Sequence, residues 1–173
     1  MRNYKSKLVD NSRLLADILV KDIGNDTVRF KEMMNLALLD RYPLSMRAAR
    51  VVALTAEGHP DFLIPFIPQL ISRLQHLTTE GVRRSFLKTL SEHSYPFSEE
   101  QLGILADLAF TWLSDPKEAI AIRYYSIEIL LIVAKLYPEI RIELKSILEE
   151  LLEDQSSGLR AKSIKVINYL RKL

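Results

Sequence analysis

Apolar residues recur along this chain at steps of three and four positions, with few interruptions from Ser6 onward. That spacing gathers them on one side of an α-helix. Prolines, glycines and short polar clusters divide the pattern into predicted helices at 6–22, 26–41, 43–57, 61–76, 79–93, 98–114, 118–136, 138–153 and 157–172. No Asn-Gly or Asp-Gly turn joins two β-branched runs, so nothing in the pattern argues for hairpins. Connections are short, which forces successive helices to lie side by side and antiparallel. Some boundaries have a local cause. Ser98 offers a hydroxyl to free amides, with Gln101 three residues on as a capping-box partner. Pro116 suits a first helical turn. Pro65 and Pro68 fall inside segment 61–76, so that helix either starts near Pro65 or bends there.

One sub-pattern repeats. Met46-Arg47, Val82-Arg83, Ile122-Arg123 and Leu159-Arg160 each set an apolar residue before an arginine at a helix opening, with 36, 40 and 37 residues between successive arginines. Four residues after each arginine stand Val51, Leu87, Ile127 and Ile164; seven after stand Leu54, Leu90, Leu130 and Ile167. Steps of four and seven share a helical face, so these eight side chains are expected to form one buried layer. A turn closes the first three copies, at His59-Pro60, Tyr95-Pro96 and Tyr137-Pro138, and a second helix follows each. Val28-Arg29 imitates the opening, but only 18 residues before Arg47. Alternation of direction therefore makes 26–41 a second helix, with 6–22 as its partner.

A helix pair of about 40 residues opened by an apolar-Arg pair resembles the HEAT-repeat family of armadillo-like α-solenoids. The stretch Leu151-Leu152-Glu153-Asp154-Gln155-Ser156-Ser157-Gly158-Leu159-Arg160 is its nearest match here. The resemblance implies an all-α, right-handed α-α superhelix of about nine antiparallel helices, one domain over 1–173. Its repeats fall at 43–78, 79–117 and 118–157, with a partial one at 158–173. It also implies an inter-repeat ladder of aspartate and arginine. Asp154 and Arg160 are expected members of that ladder, with Arg123, Arg83 and Arg47 at the equivalent openings. The ladder is incomplete, since Asp115 lies eight residues before Arg123 and no aspartate occurs in the six residues before Arg83. A fold of this kind implies no particular activity.

Chemistry-bearing patterns are sparse. The chain has no cysteine, which excludes disulfides, thiolate zinc sites and a cysteine nucleophile. His59, His76 and His93 end helices of alternating direction and face different edges, so no metal is expected. Ser94 adjoins His93, but neighbouring residues on a helix point apart, and no Gly-x-Ser-x-Gly elbow is present. No two glycines lie within six residues of each other, so phosphate loops and dinucleotide fingerprints are absent, and no cofactor is expected. Trp112, with Asp107 and Asp115 nearby, invites comparison with HEAT-like DNA alkylpurine glycosylases. Its spacing from Leu102, Leu105 and Leu108 or Ala109 favours plain core packing instead.

Charge sharpens the picture. The net charge of +2 lacks the basic excess usual in nucleic-acid binders. Second helices 98–114 and 138–153 each carry −3, whereas first helices 79–93 and 157–172 carry +1 and +5. In a HEAT-like stack the second helices line the concave face, so an acidic face is expected toward the C-terminal half, repelling phosphate backbone. Glu100, Asp107, Trp112, Glu143, Glu149 and Glu150 are the expected partner-facing residues. No apolar signal segment or membrane-length stretch occurs, and the expected setting is cytoplasmic. Helix 157–172 carries Leu159, Ile164, Val166, Ile167, Leu170 and Leu173, more than one neighbour would cover, with Lys162, Lys165 and Lys172 left to solvent. It is therefore expected to self-associate as a two-fold dimer or to join a partner interface. The leading expectation is a non-enzymatic protein-binding scaffold or adaptor. The alternative is a nucleic-acid-binding HEAT-like protein.

Overall fold

The computed structural model describes residues 4–154 and 156–172. Gln155 of the quoted repeat stretch and Leu173 of the terminal stripe lie outside the described residues. Ten α-helices and no strand occur among the described residues: α1 (Tyr4–Lys7), α2 (Arg13–Ile23), α3 (Thr27–Leu38), α4 (Leu44–Gly58), α5 (Ile67–Leu74), α6 (Glu80–Glu92), α7 (Glu99–Ser114), α8 (Ile120–Leu136), α9 (Arg141–Glu150) and α10 (Ser157–Leu170). They divide into two compact units, one ending at Pro96 and the other starting at Phe97.

In the first unit α4 is central. It pairs with α3 as a hairpin, and α2 and α6 pack along it. Buried polar atoms hold the hairpin: Ser45 Oγ donates to the Leu36 carbonyl at 2.7 Å and accepts from the Arg41 amide at 2.9 Å. In the second unit α7 pairs with α8, α10 packs on α8 and α9, and α7 touches α9. α3 packs chiefly on α4, as α7 does on α8, and more lightly on α1 and α2.

Segment 6–22 is two helices rather than one. The polar run Asp10-Asn11-Ser12 breaks it: Asp10 accepts the Ser12 amide at 2.7 Å, and Ser12 caps α2 by accepting the Leu15 amide at 3.2 Å. Arg29 has a local job that accounts for the false match at Val28-Arg29. It donates to the Asp22 carbonyl and pairs with Asp26, the N-cap of its own helix, at 3.0 Å. Segment 61–76 becomes two 3-10 turns, Pro60–Phe62 and Ile64–Phe66, before α5, as the missing proline amides dictate. Ser98 and Gln101 form the capping box at the start of α7.

Six of the eight repeat-layer side chains are buried: Val51, Leu87, Leu90, Ile127, Leu130 and Ile167. Leu54 is half-buried. Ile164 departs from the expectation at 52 % exposure. Its counterpart Ile127 lies on a helix flanked by both α7 and α10, whereas no described element packs beyond α10. Lys162 also departs, being buried rather than solvated; it pairs with Glu128 and sits over the Tyr124 ring, 5.5 Å from its centroid.

The α4–α6 contact depends on a missing side chain. A Cβ on Gly81 would lie 2.5 Å from Met46 Cγ and 2.9 Å from its sulfur. Gly81→Val is therefore expected to lower unfolding free energy by about 1–3 kcal/mol through overpacking. Gly103→Val, where a Cβ meets nothing within 4 Å, is the control for the β-branched residue itself. Equal losses for the two variants in urea titrations would refute the close-approach argument.

Candidate functional site

Two arrangements bear on function: a polar seam within each unit near the openings of first helices, and the solvent side of α7 and α9.

The seam is built one repeat at a time. In the first unit, Arg47 Nη1 donates to the Leu8 carbonyl at 2.8 Å, and Arg50 Nη1 donates to the Asn11 carbonyl at 2.6 Å, each reaching 39 residues back. Asp40 reaches forward instead. Its carboxylate accepts the Thr78 amide at 2.6 Å, the Thr78 hydroxyl at 2.8 Å and the Thr79 amide at 3.0 Å. Asp40 adopts φ 53°, a left-handed conformation that aspartate tolerates better than most side chains. Burial disfavours its charge, but the donors of Thr78 and Thr79 outweigh that and hold its pKa below the ordinary carboxylate value.

In the second unit, Arg123 on α8 bridges the end of α7 and the linker before α10. Its Nε donates to the Leu113 carbonyl at 3.2 Å and its Nη1 pairs with Asp154 at 2.9 Å, the two side chains 7 % and 19 % exposed. Asp154 also accepts the Ser156 amide at 2.8 Å, and Arg160 donates to the Asp154 backbone carbonyl. The Ser156 amide chiefly, with Arg123 and Arg160, lowers the Asp154 pKa despite partial burial. Arg83 is half-buried on α6. Asp40 is the seam residue that the sequence reading missed. Its signal was there: it precedes Arg47 by seven residues, and its partners lie one repeat length away.

The solvent side of α7 carries Glu100 and Asp107, and that of α9 carries Glu143, Glu149 and Glu150. All five carboxylates are exposed, on helices that touch each other. Ile104 and Ile142 stand among them, Ile142 83 % exposed. Lys145 lies 3.6 Å from Glu149, an i,i+4 pair open to solvent and of little energetic weight. Trp112 does not belong with them. At 8 % exposure it is part of the core of α7, as its spacing from Leu102, Leu105 and Ala109 also suggested. Among the described residues, no group of three His, Asp or Glu side chains is placed to hold a metal, and no helix is long and apolar enough to cross a membrane.

Layered helix pairs tied together by arginines of the first helices and aspartates of the linkers define an all-α repeat protein of HEAT type. The chain belongs to the HEAT repeat domain family, whose sequence model matches residues 6–169 and so covers both units. No curated protein and no solved structure gives a significant match.

Proposed function

We propose that this chain is a non-catalytic scaffold or adaptor that binds a protein partner through the solvent side of α7 and α9. The observation that carries this reading is the cluster of exposed carboxylates on two touching second helices, with Ile104 and Ile142 exposed among them. Carboxylates on such a face steer and orient a partner of opposite charge, while exposed isoleucines supply apolar area to bury. The test places a photo-activated cross-linker in place of Ile142 in the native cell. A discrete protein adduct is expected, and Glu100→Lys with Glu143→Lys should abolish it without changing the helical circular dichroism. No adduct, or one indifferent to charge reversal, would overturn the reading.

The same carboxylates argue against phosphate backbone as the ligand. Duplex DNA should be bound no better than non-specifically at physiological salt. Sub-micromolar binding that weakens steeply with added salt would instead favour the nucleic-acid reading.

A second reading concerns α10. Ile164 occupies a repeat position whose counterpart, Ile127, is fully buried, and its exposure supports contact with another molecule, such as a second copy of this chain. Sedimentation of Ile164→Glu tests it. A dimer that becomes a monomer supports the reading; an unchanged mass at micromolar concentration removes it.

A further inference from the structure

A cleft of about 350 Å³ opens in the second unit where α7 ends, beside the end of α9. Its walls include Leu113, Pro116, Ile147 and Leu151. Arg123 also lines it, its guanidinium already engaged by the Leu113 carbonyl and the Asp154 carboxylate. Glu150 and Glu153 also line the cleft, both exposed and neither in an ion pair among the described residues. From this geometry we infer that the cleft receives an arginine side chain of the partner. The inference rests on the protein-binding reading above and gives that partner a basic residue at a defined place.

The charge balance sets the sign. One buried cation, Arg123, stands against three carboxylates, Glu150, Glu153 and Asp154, which leaves the lining at −2. Arg123 and Asp154 neutralise each other, so the unmatched charge belongs to Glu150 and Glu153. Helices α7 and α9 both present their C-terminal ends here, and the negative ends of their dipoles add to the same potential. An anion would meet these carboxylates and find Arg123 already paired. A cation finds two unpaired carboxylates with apolar walls for its methylene stem. Guanidinium fits better than ammonium, because its planar fork of five donors can serve both carboxylates at once.

The probe is N-acetyl-L-arginine methylamide, titrated into the full-length 15N-labelled chain and followed by amide shifts, in parallel with its lysine and citrulline counterparts. Citrulline keeps the shape of arginine and lacks the charge. The arginine probe should shift the amides of Leu113, Ser114, Leu151 and Glu153 together. Citrulline should bind about tenfold more weakly, as should arginine to Glu150→Gln with Glu153→Gln. Glu100→Gln with Glu143→Gln, on the same helices but outside the cleft, should leave the titration unchanged. Scattered shifts, equal binding of citrulline or lysine, or full binding to the cleft variant would overturn the assignment. The two readings fail separately. A cross-link lost on reversing Glu100 and Glu143, together with a cleft indifferent to arginine, removes only the arginine pocket. An arginine-specific cleft in a protein whose Ile142 cross-link ignores charge reversal removes the wider face.

Discussion

Phe30→Ala is expected to lower the unfolding free energy by about 3–5 kcal/mol, the range for deleting a fully buried phenylalanine. Phe30 is 0 % exposed, on α3 among Met33, Met34, Ala37 and Leu38. Its ring also receives Phe62 edge-on at 5.5 Å and Phe66 at 6.0 Å, and Phe62 is stacked by His59 at 4.8 Å. Those partners come from the 3-10 turns between α4 and α5. Truncation therefore leaves a cavity and also unties that irregular segment from α3. Urea denaturation followed by far-UV circular dichroism measures the loss. Phe30→Leu, which keeps most of the volume, should recover at least half of it. A loss below about 1 kcal/mol for Phe30→Ala would mean that the segment collapses freely into the gap, contrary to the packing described.

Asp154→Ala should cost about 3 kcal/mol, near the lower end for breaking a buried ion pair, because Asp154 retains some contact with water. The variant leaves the Arg123 guanidinium buried with, among the described residues, the Leu113 carbonyl as its partner. Arg123→Met should cost less. It removes the buried cation and fills the space, while the freed carboxylate keeps the Ser156 amide. The order of the two losses is thus the decisive measurement, and a larger loss for Arg123→Met would refute it. Trp112, the single tryptophan, lies next to Leu113 and reports unfolding of this unit by fluorescence. The pH dependence follows from the lowered pKa of Asp154. A depressed folded-state pKa contributes stability above the ordinary carboxylate value and loses it as pH falls through the folded value. The gap between wild type and Asp154→Ala should stay constant down to about pH 5 and shrink below about pH 4. A gap that persists at lower pH would point to lost packing instead of lost charge.

Membership of the HEAT repeat domain family fits a chain whose interior is a repeated apolar layer. The seam and the acidic side of α7 and α9 are independent of each other in this respect. The first joins residues about a repeat apart, and the second leaves its carboxylates to solvent.

Much of this was legible in the sequence. Steps of three and four, read with the prolines and Ser98, place the helices because periodicity and caps act locally. The spacing of Arg47, Arg83, Arg123 and Arg160 carries the repeat, since equivalent positions meet equivalent neighbours. The exposed carboxylates of α7 and α9 were also readable, as charges at helical spacing opposite an apolar stripe. What only tertiary structure decided is where equivalence fails. Ile127 and Ile164 hold the same place in the pattern, yet the first is fully buried on α8 and the second is exposed on α10. Lys162 looks like a solvent lysine until Glu128 and the Tyr124 ring are beside it, contacts that come from a helix more than thirty residues away. Asp40 looks like a loop residue until Thr78 and Thr79 arrive 38 and 39 residues later. The cleft beside Glu150 and Glu153 belongs to no single segment, because its walls come from α7, α9 and the linkers that follow them. Local sequence sets which face of a helix is apolar; burial and polar partners depend on what the rest of the chain brings against that face.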